Sequence, residues 1–200
     1  MRSKTILRTA ALLPVLLLVL ALGASWCAAA PPSDESLALS RRLVQLKPLD
    51  YKTIAQMMEI DCLQSMAGSP MGKRLDLDDT KVYCRVVGEV FWSQVKDQVN
   101  EAMAMAYAQY LSYHELEVIV GEVEAKRAGR DSKFSPRQVQ EVATRLAKAD
   151  PGIKAETAWQ IKQITRKWQE RFALDDYFKK QFRAQVLEKL PWKIRSKIAY

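Results

Sequence analysis

The chain has 200 residues, 48% hydrophobic and 27% charged, with a formal net charge of +8. Only 7 Gly and 8 Pro occur, which disfavours a turn-rich β architecture, and a single histidine excludes a multi-histidine zinc site. The length is enough for one domain with a real core.

The first eight residues carry Arg2, Lys4 and Arg8 and no acid, and residues 10–22 are apolar. Small residues follow, then Pro31 and Pro32. A basic start, a short apolar stretch and a small-residue exit make a secretory signal peptide over residues 1–29. Trp26 stands where a lipoprotein signal needs a small residue, which argues against a lipid on Cys27. Cutting after Ala29 removes Cys27 with the leader; kept uncleaved, the same run would act as an anchor. The expectation is an exported, periplasmic protein spanning residues 30–200. It loses three cations with its leader, so its charge falls from +8 to +5. It keeps Cys62 and Cys84, an even pair that predicts one disulfide in an oxidising compartment.

Helical periodicity then runs along the chain. Leu37, Leu39, Leu43, Val44 and Leu46 define a short amphipathic helix that Pro48 stops. Asp50 caps the next, with Ile54, Met57, Met58 and Cys62 on one face. A loop from Ala67 to Asp79 follows, and Thr80 opens the longest pattern, from Val82 to Tyr110. Ser112 and Glu115 make a capping box for a helix that Gly129 stops, and Ser135, Pro136 and Gln138 make a second box. Asp150-Pro151 reads as the start of another helix, bearing Trp159, Ile161, Ile164, Trp168 and Phe172. Asp175 or Asp176 opens the last one, and Pro191 ends it. No segment alternates with period two. The fold class is all-α: one domain of about seven helices, with Cys62 and Cys84 clipping the second helix to the third.

Few residues suggest chemistry. His114 sits in a capping sequence beside Glu115 and reads as a first-turn surface residue. Gly68 to Arg74 is one residue short of a phosphate loop, and Arg74 stands where Ser or Thr must hold magnesium. Met57, Met58, Met66 and Met71 surround Cys62 and could suit Cu(I), but methionines at helical spacing read as core filler. No cofactor is therefore expected. Glu89, Glu115, Glu122 and Glu124 keep open an envelope hydrolase working with paired carboxylates.

The charge is uneven. Residues 153–200 hold 12 basic and 5 acidic side chains, whereas residues 30–152 hold 16 and 18. In the C-terminal stretch 175–200, Phe178, Lys179, Lys180, Phe182, Arg183, Trp192, Lys193 and Arg195 mix aromatic and basic character. Such a segment can bind an acidic envelope partner or lie on an anionic membrane. Export separates it from nucleic acid. The favoured expectation is a non-catalytic envelope-binding protein.

The run from Ala106 to Leu116, with Tyr107, Ser112, Glu115 and Leu116, resembles an uncharacterised family of small exported bacterial proteins. In that family a tyrosine-bearing helix ends just before a Ser/Thr-x-x-Glu-Leu helix start. The resemblance implies a helical periplasmic domain and transfers no active site.

Overall fold

The computed structural model describes residues 31–48 and 51–198; within 51–57 the only side chain described is that of Gln56. The leader, Cys27 and Asp50 lie outside these residues, as do the side chains of Ile54 and Met57. Among the described residues there are seven helices and no strand. They are α1 (Asp34–Leu46), α2 (Tyr51–Met66), α3 (Leu77–Tyr110), α4 (Tyr113–Arg127), α5 (Pro136–Leu174), α6 (Asp176–Lys189) and α7 (Trp192–Ile198). The all-α expectation holds, and Cys62 on α2 bonds Cys84 on α3 with their Cα atoms 5.5 Å apart.

Local chemistry sets most helix ends. Ser33 caps α1, its hydroxyl accepting from the Ser36 amide at 3.2 Å. Both capping boxes form: Ser112 with Glu115 opens α4, and Ser135 with Gln138 opens α5. The α4 stop is a Schellman motif. Gly129 takes φ +62, the Arg130 amide donates to the Ala125 carbonyl at 2.9 Å, and the Gly129 amide donates to that of Lys126 at 3.3 Å.

Three boundaries differ from the sequence expectation. α3 begins at Leu77 rather than Thr80, because Asp76 accepts the Asp79 amide at 2.8 Å and so caps the helix. Asp150-Pro151 starts nothing: α5 runs through it for 39 residues, about 60 Å. Pro151 lacks the amide for one helical hydrogen bond, yet Ala149, Ile153 and Thr157 are buried around it, and packing on both sides holds the helix together. Gly152 belongs to the same contact, since a Cβ there would stand 2.3 Å from the Tyr110 ring. Finally, Pro191 follows the end of α6 as expected, but that helix is not the last, because α7 begins at Trp192.

The long α3 is the spine, with α1, α2, α5 and α6 packed along it. Its first half sits in an aromatic core with α2, the second half of α5, α6 and α7, built on Cys84, Val90, Phe91, Phe182, Val186 and Ile194. Its second half sits in an aliphatic core with α1, α4 and the first half of α5, built on Leu43, Ala106, Leu116, Val120 and Ile153.

Candidate functional site

The basic C-terminal segment is divided by the packing of α6 and α7. Phe178 and Phe182 are buried, which corrects their expected role as contact residues. Phe178, Phe182 and Val186 recur at four-residue steps on one helical stripe, and that stripe is the core face of α6. Both lie edge-on to Trp168, at 5.8 and 5.1 Å between ring centroids, while Phe172 stacks on it at 5.1 Å. The Trp168 indole N–H donates to Gln94 at 2.9 Å, so the ring is anchored at its polar edge too.

Several cations of the segment are also spent internally. Lys197 bonds Asp76 at 3.2 Å and makes a second, shorter bond to Asp79; Lys193 lies 3.9 Å from Asp79. These pairs dock α7 on the first turn of α3, where the helix dipole already favours carboxylates. The Asp79 amide and the Lys197 ammonium hold the Asp76 carboxyl down at about 2. Lys179 pairs with Asp176 at 3.0 Å.

What remains outward is narrower than the sequence implied. Lys180, Arg183 and Leu187 recur at three- and four-residue steps on the exposed side of α6. Trp192 and Arg195 share the outer side of α7, and Trp192 is 75% exposed. Among the described residues no carboxylate pairs with Lys180, Arg183 or Arg195. Beside them opens a hollow of about 410 Å³, lined by Met71, Tyr83, Phe172, Phe182, Arg183, Val186, Leu187 and Ile198. Burial raises the pKa of Tyr83 and the nearby Arg183 charge lowers it, the burial being the larger effect.

Three of the four carboxylates kept open for acid–base chemistry are paired with cations. Glu115 closes the α4 capping box and lies 3.3 Å from Arg145 of α5. Glu122 pairs with Lys126 at 3.1 Å; the Ser132 hydroxyl and then this ammonium hold its pKa below the usual carboxylate range. Glu124 pairs with Arg42 of α1 at 2.8 Å. Glu89 is half-buried on α3. His114 is exposed, 3.9 Å from Glu117. The Gly68 to Arg74 stretch is a tight turn in which the Gly72 amide donates to the Ser69 hydroxyl at 2.9 Å. Met66 is buried in the aromatic core, and Met58, Cys62 and Met71 pack against it. Among the described residues no cluster of three or more His, Cys, Asp or Glu could hold a metal, and no helix is long and apolar enough to cross a membrane.

Sequence reasoning missed a second concavity. A trough of about 420 Å³ lies between the C-terminal ends of α1 and α4 and the start of α5. Leu46, Val118, Ile119, Val123, Val139, Val142, Ala143 and Leu146 line it, with Lys47, Glu122, Lys126 and Arg127 at its rim. One signal was available. The apolar positions of early α5 are small, Val139, Val142 and Ala143, whereas those of late α5 are Ile, Trp and Phe. Small side chains facing a helix across an eight-residue loop leave space.

Comparison with known protein families, with curated proteins and with solved structures finds no match to this chain.

Proposed function

We propose that this is a non-catalytic, exported helical protein that binds another component of the cell envelope through the outer side of α6 and α7. One observation carries the reading: Leu187 on α6 and Trp192 on α7 are exposed, as are Lys180, Arg183 and Arg195, which have no carboxylate partner among the described residues. Exposed tryptophan and arginine are the residues that most often anchor interfaces. The hollow beside Arg183 and Leu187 gives the partner a place to seat a side chain. Partner chemistry follows from the charge: an acidic surface with apolar groups at its centre. The disulfide fits an oxidising compartment, and the resemblance around Tyr107 to Leu116 points the same way.

Deleting residues 175–200 is a poor test, because Phe178, Phe182 and Val186 are core. The test is a photo-crosslinking residue in place of Trp192, installed in the living cell, with and without Arg183→Glu and Arg195→Glu. The expected result is one dominant envelope crosslink, lost in the charge-reversed variant while its unfolding midpoint is kept. Equal crosslinking by both forms overturns the charge argument, and no crosslink from position 192, without vesicle binding, places the contact elsewhere. Salt-sensitive sedimentation of the purified protein with anionic but not neutral vesicles, and no protein crosslink, assigns the face to a membrane surface instead.

A further inference from the structure

The trough between α1, α4 and α5 has a polarity that its apolar lining alone does not reveal. α4 and the start of α5 run antiparallel, since Arg145 of α5 meets Glu115 at the beginning of α4 at 3.3 Å. The C-terminal end of α4 therefore lies by the beginning of α5, and Arg127 there donates to the Leu46 carbonyl at the end of α1. Lys47, Lys126 and Arg127 thus gather at one end of the trough, and Leu146 marks the other. Glu122, one turn in, is already paired with Lys126. The rim keeps a net positive charge, and Lys47 has no carboxylate partner among the described residues. From Val139 to Leu146 the floor runs about 10 Å at the helical rise.

The trough is also held open by its surroundings. Phe134, in the loop before α5, presses on α4 at Gly121, where a Cβ would stand 2.7 Å from the ring. Lys133 lies 4.8 Å over the same ring and bonds Glu117 at 2.9 Å. The loop is thereby fixed to one flank of α4, and the neighbouring flank, bearing Ile119, Glu122, Val123 and Lys126, faces the gap.

We propose that this trough binds a single-chain amphiphile with an anionic head group. Its chain would lie on Ile119, Val123, Val139, Val142 and Leu146, and its head between Lys47 and Arg127. The volume is within the range of small-ligand sites, and the lining is apolar with a few convergent charges, as such sites require. Charge complementarity selects this occupant. The chain's own N-terminal apolar run is led by Arg2, Lys4 and Arg8 and carries the wrong sign for the cationic end. The site is separate from the surface on α6 and α7, so either proposal can fail without the other.

The test is displacement of a dansyl-labelled undecanoate from the purified protein. Octanoate, decanoate and laurate form one series; dodecyl phosphate, dodecanol and dodecyltrimethylammonium form another. The expected result is displacement by laurate and by dodecyl phosphate alike. Affinity should rise about fourfold per methylene until the chain outgrows the floor. Dodecyltrimethylammonium should bind at least tenfold more weakly. Ala143→Trp, at an exposed position on the rim, should fill the trough and abolish binding with the unfolding midpoint unchanged. Lys47→Glu should weaken laurate and leave dodecanol unaffected. Failure of the probe to bind below its micellar concentration overturns the proposal. So does equal binding of cationic and anionic chains, or unchanged binding by Ala143→Trp.

Discussion

At the end built by α2, early α3, late α5, α6 and α7, a disulfide and five aromatic ring contacts, four of them to Trp168, hold the helices. At the end built by α1, late α3, α4 and early α5, the contacts are small. Ala104 and Ala106 on α3 and Ser40 on α1 are fully buried, and Leu116 and Val118 complete the packing from α4. The difference is one of how a helix is located. Large rings fix it through many contacts at a distance, and the covalent clip adds a constraint that needs no packing. Small residues fix it by letting backbones come close, so caps and turns must set the helix direction first. The aromatic end leaves its charge on an outer surface, and the small-residue end leaves a trough.

Four perturbations would sharpen or break that contrast. The largest is Phe182→Ala, which removes a ring facing Trp168 and Phe172 and should cost about 4 kcal/mol in urea unfolding. If the loss is below that of an exposed substitution, the aromatic cluster is not what holds α6. Next, reducing Cys62–Cys84 opens a loop of 22 residues and should cost about 3 kcal/mol. Hydrogen exchange should then rise first in α2 and leave α4 protected. A uniform rise would mean that the two ends unfold as one unit.

The third compares two glycines. A Cβ at Gly72 would stand 2.0 Å from the Met66 carbonyl oxygen, which is backbone and cannot turn aside. Gly72→Ala should cost about 2 kcal/mol. Gly152→Ala meets only the Tyr110 ring, which is 39% exposed and can swing out, and alanine gains about 1 kcal/mol over glycine in a helix. Its thermal unfolding midpoint should hardly move. Equal losses at the two sites would show that the Tyr110 contact is as rigid as a backbone one.

The smallest effect concerns pH. Asp76 has a folded value of about 2 against an ordinary 3.8, so its contribution to stability is complete above about pH 4 and disappears as pH falls towards 2. Lys197→Met should move the Asp76 titration, followed by carbon NMR, back towards its ordinary value. The small-residue end has Glu101, lowered by its bidentate bond to Arg41, and should titrate independently of that substitution.

How much was legible in the sequence depended on the range of the interaction that decides each feature. The Ser112 and Ser135 boxes and the Gly129 stop each depend on groups within five residues, and all three form as read. Asp150-Pro151 has the local look of a helix start, but burial of Ala149 and Ile153 carries the helix through it. The basic C-terminal segment showed its composition and not its orientation. Its phenylalanines face Trp168, and Lys193 and Lys197 face α3, because those partners lie many residues away. The trough was hidden for the same reason: it is a gap between α1, α4 and α5, and no one segment contains a gap.

The sequence by itself determined the helical class, the helix ends governed by caps, the cysteine pair and the concentration of positive charge near the C-terminus. These follow from backbone hydrogen bonding, from side-chain periodicity and from counting. Only the tertiary structure decided which cations remain outward, which carboxylates are already paired and where the cores leave room. Those outcomes are set by the distances between residues far apart in the chain, which no local pattern encodes.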